Sequence, residues 1–498
     1  MKPPSFSHRF RAPLLSAALA LSTTLALVAC GGGSNSDSQP TPPVTVSPPV
    51  TPPVVVEPPV VVAPPVAVEP PVVVAPPVTT TPPILVPIEP PIIAAPPINQ
   101  PGGSPLNPVA AVIGDDNVAP IYVDASPFEK RRVPNIIFAD VKVCAPDNPG
   151  NCAVIDHVLV DTGSTGLRVF ADQIPAQLLA ALPAATSGGE PLAECLSFVS
   201  GTTWGSVRKA NIGMGGVSQA GKLAVNTRIQ IISDPAPQVA DVPASCQVQG
   251  GIIKTAADMD AKGILGIGQF AQDCGSACTV FAPPVYYSCA QSACRQIPVP
   301  LADQVSNPVI GFGADNNGNI IVLPKLPNHA ANHADGMLIF GLGTRANNAL
   351  PAGSAVLAST ALGYFASEFN GRQLVNSFID SGSTIIFSPS AGTINLSSCQ
   401  GGIASFFCPG SDLSITATNT GVRGTASTIP LLIVDALAAF NTTPQAHALE
   451  GLAGPAAAPY NSLFLGASFF FGRSVGTLID GRSAIGLNVT GPAVTHTP

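Results

Sequence analysis

Two short segments set an aspartate in the same local frame. Val158-Leu159-Val160-Asp161-Thr162-Gly163-Ser164 is matched, 219 positions later, by Phe378-Ile379-Asp380-Ser381-Gly382-Ser383. Each Asp ends an apolar run and is followed by a hydroxyl residue, a glycine and a second hydroxyl residue. The pattern predicts strand, tight turn, strand, twice over. Two carboxyls brought together cannot both ionise easily, so such a pair holds one proton between them. The ionised member can then take a proton from water while the protonated member gives one to a carbonyl oxygen. Gly163 and Gly382 let each turn bring backbone N–H groups near a carboxylate. Thr162, Ser164, Ser381 and Ser383 are placed to hold the two carboxylate planes.

The elements that must position this pair carry a second repeat. Gly263-Ile264-Leu265-Gly266 follows the first Asp, and Leu463-Phe464-Leu465-Gly466 follows the second, in the same order within each half. A further apolar segment, Gly336-Met337-Leu338-Ile339-Phe340-Gly341, precedes the second motif. From about Pro120 onward, short runs of Val, Ile, Leu and Phe are bounded by Gly, Pro, Asn or Ser, the mark of a mainly β domain. Only 10% of the 498 residues are charged and the net charge is -8, with no basic stripe, so nucleic acid is not an expected partner.

Taken together, these motifs resemble the pepsin-like aspartic proteases over about Pro120 to Asn488, and the chain is similar to uncharacterised proteobacterial lipoproteins that share them. The resemblance implies a mainly β, bilobal acid-protease fold, with lobes over 109–320 and 321–498. It makes Asp161 and Asp380 the water-activating dyad. Thr162 and Ser381 would cross-link the two loops, and Ser164 and Ser383 would hold the outer carboxylate oxygens. The closing stretch Thr477-Leu478-Ile479-Asp480-Gly481 looks like the family's last strands. Departures are visible. The family usually places a Trp close after the apolar pair where Leu167 is followed by Arg168, and its flap carries a Tyr. The flap-like segment here, Ser197 to Gly205, has none, which leaves Phe198 or Trp204 to cover the cleft, or to be core.

The first 29 residues have a basic start and an apolar, Ala-rich stretch too short for a comfortable membrane span, and read as a signal peptide. They end Leu27-Val28-Ala29-Cys30-Gly31, which resembles a lipobox; the resemblance implies lipidation of Cys30 and, by analogy, the outer membrane, with the domain facing periplasm or cell surface. Residues 30–108 then form a Pro-rich tether. Pro fixes φ and removes donors, so polyproline II is expected, and at ~3.1 Å per residue the tether could reach on the order of 200 Å. Without Cys30, ten cysteines remain: Cys144, Cys152, Cys195, Cys246, Cys274, Cys278, Cys289, Cys294, Cys399 and Cys408. An even count in an exported chain points to disulfides. Cys144 with Cys152 and Cys399 with Cys408 close short loops, and Cys195 could meet Cys246. The four from Cys274 to Cys294 could instead hold a metal, although an oxidising compartment favours disulfides and no His sits nearby.

Other candidates are set aside. His329 and His333 lie in an Asn/Ala-rich loop, His157 sits on the strand leading into Asp161, and Glu129-Lys130-Arg131-Arg132 is a solvated charge cluster. Residues 109–135 are either a pro-segment or the domain's first strand. The expectation is a monomeric aspartic endopeptidase acting on extended peptide or protein substrates, with no metal or organic cofactor and the membrane as its anchor. The alternative is a catalytically silent envelope lipoprotein of the same fold that binds protein or glycan.

Overall fold

The computed structural model describes residues 111–498 apart from 129–132, 247–250, 291–292, 390–395, 457–460 and 485–486. Cys30, the tether and the charge cluster at 129–132 lie outside the described residues. The described chain is mainly β, with short helices such as Ala176–Ala181 and Ala436–Thr442.

Each half is built round one Asp. The strand Asn148–Asp161 ends at the first carboxylate, the chain turns, and it returns as Thr165–Phe170. Between them runs Gly263–Ile267, parallel to the incoming strand and antiparallel to the outgoing one. In the second half Phe464–Leu465 lies parallel to Arg372–Ile379 and antiparallel to Ile386–Ser388 in the same way. This threading explains the glycine repeat. A Cβ on Gly266 would sit 2.7 Å from the Thr165 backbone, and one on Gly466 would sit 2.0 Å from the Ile385 carbonyl oxygen. The threaded strand Gly263–Ile267 is apolar at every position because both its faces are covered, and its partner Thr165–Phe170 is likewise buried throughout. Phe365–Phe369, nearer the surface, alternates buried and exposed instead.

The two halves share a sheet. Val118–Val123 pairs antiparallel with Ala334–Phe340, which pairs with Gly318–Val322, which pairs with Ser474–Leu478. Ala493–His496 and Ala355–Ala358 complete that side. Residues 118–123 are thus the first strand, inside the shared sheet. The division drawn at 320/321 falls within Gly318–Val322. One buried cluster runs through both halves, from Val160 and Leu167 to Phe369, Ile379 and Phe469.

Five disulfides are formed among the described residues. Cys144–Cys152, Cys195–Cys246 and Cys399–Cys408 join as the spacing suggests. The metal alternative for the four-cysteine cluster is corrected: Cys274–Cys278 and Cys289–Cys294 are bonded to each other. Cys289 and Cys294 stand opposite one another in a hairpin, which brings the two sulfurs together.

Candidate active site

Asp161 and Asp380 stand at the ends of equivalent strands, and their loops meet head to head. The Gly163 N–H donates to Asp161 Oδ1 at 2.7 Å, and the Ser164 hydroxyl donates to Oδ2 at 2.5 Å. The other side repeats this. The Gly382 N–H donates to Asp380 Oδ1 at 2.8 Å and the Ser383 hydroxyl to Oδ2 at 2.7 Å. Each carboxylate is therefore fixed on both oxygens. The loops are also tied to each other. The Thr162 N–H donates to Ser381 Oγ, and the Ser381 N–H donates to Thr162 Oγ1, both at 3.0 Å. The Ser381 hydroxyl then reaches the Val160 carbonyl across the pseudo-symmetric junction at 2.7 Å.

The inner oxygens face each other over the two glycines. A Cβ on Gly163 would lie 2.6 Å from Asp380 Oδ1, and one on Gly382 would lie 2.5 Å from Asp161 Oδ1. Any side chain there would push the carboxylates apart. The Asp161 carboxyl is raised well above the ordinary range. Burial is the larger cause and the negative charge of Asp380 the next; the Ser164 and Gly163 donors pull the other way. Asp161 is 6% exposed, whereas Asp380 is only half-buried. Such a pair holds a proton into the range where isolated carboxyls have lost it.

The hairpin of Glu190–Phe198 and Gly201–Met214 occupies the flap-like segment. Trp204 does not cover a cleft. It is 3% exposed, donates from Nε1 to the Val239 carbonyl at 2.8 Å and meets Tyr287 edge-on, so it is core; the apolar patch with Cys195, Cys246 and Cys289 takes it in. Phe198 is half-buried at the hairpin end, opposite Gly201. That end is held by the Thr202 N–H to the Gly251 carbonyl and the Ile253 N–H to the Thr202 carbonyl. His157 pairs with Asp156 and packs against Phe138. His329 pairs with Glu450, and His333 with Asp335 and Asp124.

Sequence reasoning noted Arg168 only as a departure. It is a fully buried cation held by Glu194, Asp273 and two carbonyls of the first loop. The available signal was a charge inside the otherwise apolar run Leu167-Arg168-Val169-Phe170, which demands buried partners.

The chain belongs to the family described as "Protein of unknown function (DUF3443)", which matches residues 114–496. No curated protein matches it. Among solved structures it is similar to the aspartic proteinase from Irpex lacteus, at 14% identity and a TM-score of 0.43, over 76% of this chain and 96% of that one. Two Asp-bearing loops, each threaded by a glycine strand, over a sheet common to both halves make the architecture a mainly β one built from two equivalent halves.

Proposed function

We propose that the protein is an aspartic endopeptidase, exported and held at the outer membrane by lipid on Cys30. The observation that carries the reading is the paired geometry: two carboxyls whose inner oxygens approach one another over Gly163 and Gly382, each fixed on both oxygens by its own loop. In hydrolysis the ionised carboxylate takes a proton from water as its oxygen attacks the peptide carbonyl carbon. The protonated partner gives its proton to the carbonyl oxygen, leaving a neutral tetrahedral diol. Collapse breaks the C–N bond, with one proton passed to the leaving amine nitrogen and the pair returned to its single-proton state. No metal or organic cofactor is needed for this proton balance. An extended peptide, bound in β-like fashion, is the substrate that this reading implies.

Digestion of a diverse peptide library by residues 109–498, from acid to neutral pH, tests the reading. Cleavage blocked by a pepstatin-like inhibitor is expected; a folded protein that cuts nothing at any pH overturns it in favour of a binding protein. For anchoring, Cys30→Ser in the full chain should move the protein from the membrane to the soluble fraction after cell fractionation. Continued membrane retention of that variant would remove the lipid anchor from the account.

A further inference from the structure

Behind the first catalytic loop lies a second group of ionisable side chains that the hydrolytic chemistry does not use. Arg168, Glu194 and Tyr286 are fully buried, and the Asp273 side chain is 2% exposed. The Arg168 guanidinium donates through Nη1 to the Thr165 carbonyl at 2.6 Å and the Gly166 carbonyl at 3.2 Å, in the outgoing arm of the Asp161 loop. Through Nε and Nη2 it forks onto both oxygens of Glu194, at 3.2 and 2.6 Å. Glu194 belongs to the first strand of the flap-like hairpin, next to Cys195 with its disulfide to Cys246. Nη2 also reaches Asp273 Oδ2 at 3.2 Å. The Tyr286 hydroxyl donates to Asp273 Oδ1 and accepts from the Val305 N–H, both at 2.6 Å.

The Asp273 carboxyl is raised well above the ordinary range, by burial first and then by its hydrogen bond to Glu194. A buried pair of this kind gives little net stability against an apolar replacement, but losing one partner is costly. Its gain is directional: the planar fork fixes two oxygens at once, which a lysine cannot do.

We propose that Arg168 is a positioning residue that locks the flap-like hairpin, through Glu194, to the outgoing arm of the Asp161 loop, so that hairpin and carboxylate are set as one unit for catalysis. The inference rests on the proteolytic reading for its kinetic consequence and on contacts alone for the coupling. Two variants test it: Glu194→Gln, which keeps the shape and removes the charge, and Arg168→Lys, which keeps the charge and removes the fork. Thermal melting establishes that each is folded, and if one fails to fold the other decides.

Amide hydrogen exchange should accelerate by ~10-fold or more at 162–166 and 196–203 together, while the shared sheet keeps wild-type protection. On a cleaved peptide, kcat should fall by about 10- to 100-fold with KM changed far less, as expected for misplacement of a reacting group. A lowered melting temperature with unchanged relative protection of those segments, or a folded variant with wild-type kcat, overturns the proposal. A wild type that cleaves nothing removes the proteolytic reading, and the exchange pattern then decides the coupling on its own.

Discussion

At Asp161 burial and charge act together against ionisation, and this has a consequence for stability that needs no substrate. Below the ordinary carboxylate range the group is protonated in folded and unfolded chains alike, and its full contribution is present. Between that range and the raised folded value, the unfolded chain sheds a proton that the folded chain keeps. Stability is therefore lost as pH rises, by about 1.4 kcal/mol per pH unit over that window, and the slope ends above the folded value. Urea midpoints of the wild type and Asp161→Asn, compared from pH 4 upward, should diverge in favour of the variant as pH rises. A pH-independent difference would contradict the raised carboxyl. At this scale the sequence was informative about the dyad, because the chemistry sits in contiguous tetrapeptides. It was silent about the partners of Arg168, Glu194 and Asp273, which lie 26 and 105 positions away. The sequence leaves Trp204 open between cover and core for a related reason: only the contacts with Val239 and Tyr287 decide for core.

Among the elements, the threaded strands set the geometry of each loop. Gly266 and Gly466 have no need of left-handed backbone; what they need is the absence of a Cβ where another backbone passes. Gly466→Ala should cost about 1–3 kcal/mol or more by overpacking, read as a lower urea midpoint, and should loosen the Asp380 loop because the Asp380 N–H bonds to the Leu465 carbonyl at 3.0 Å. A variant of wild-type stability would mean that the strand can shift without cost. The glycine repeat was legible because steric exclusion leaves a residue type in the sequence. Local disulfides were legible from short spacing, whereas the pairing of Cys274 with Cys278 against a metal was not, since both uses ask for the same residues at the same separation.

For the whole molecule, the shared sheet decides what can fold alone. Val118–Val123 in the first half finds a partner in Ala334–Phe340, and Gly318–Val322 finds one in Ser474–Leu478. Separate expression of 109–320 and 321–498 would leave these apolar strands with open edges. Neither half should give a cooperative melt by circular dichroism, and mixing should restore β signal; a half that melts cooperatively alone would contradict the single-sheet account. Such pairing was not legible in the sequence, because register between strands more than 150 positions apart leaves no local periodicity.

The pairing of the two loops through Thr162 and Ser381 makes the carboxyls one device, and groups that act as a unit are strongly non-additive when removed. The measurement that bears most directly on this is kcat on the best library peptide for the wild type, Asp161→Asn, Asp380→Asn and the double variant, each confirmed folded. The account predicts that each single variant loses about 10²–10⁴-fold or more and that the double variant falls no further. A single variant that keeps near wild-type kcat, or losses that multiply in the double variant, would contradict a shared-proton dyad.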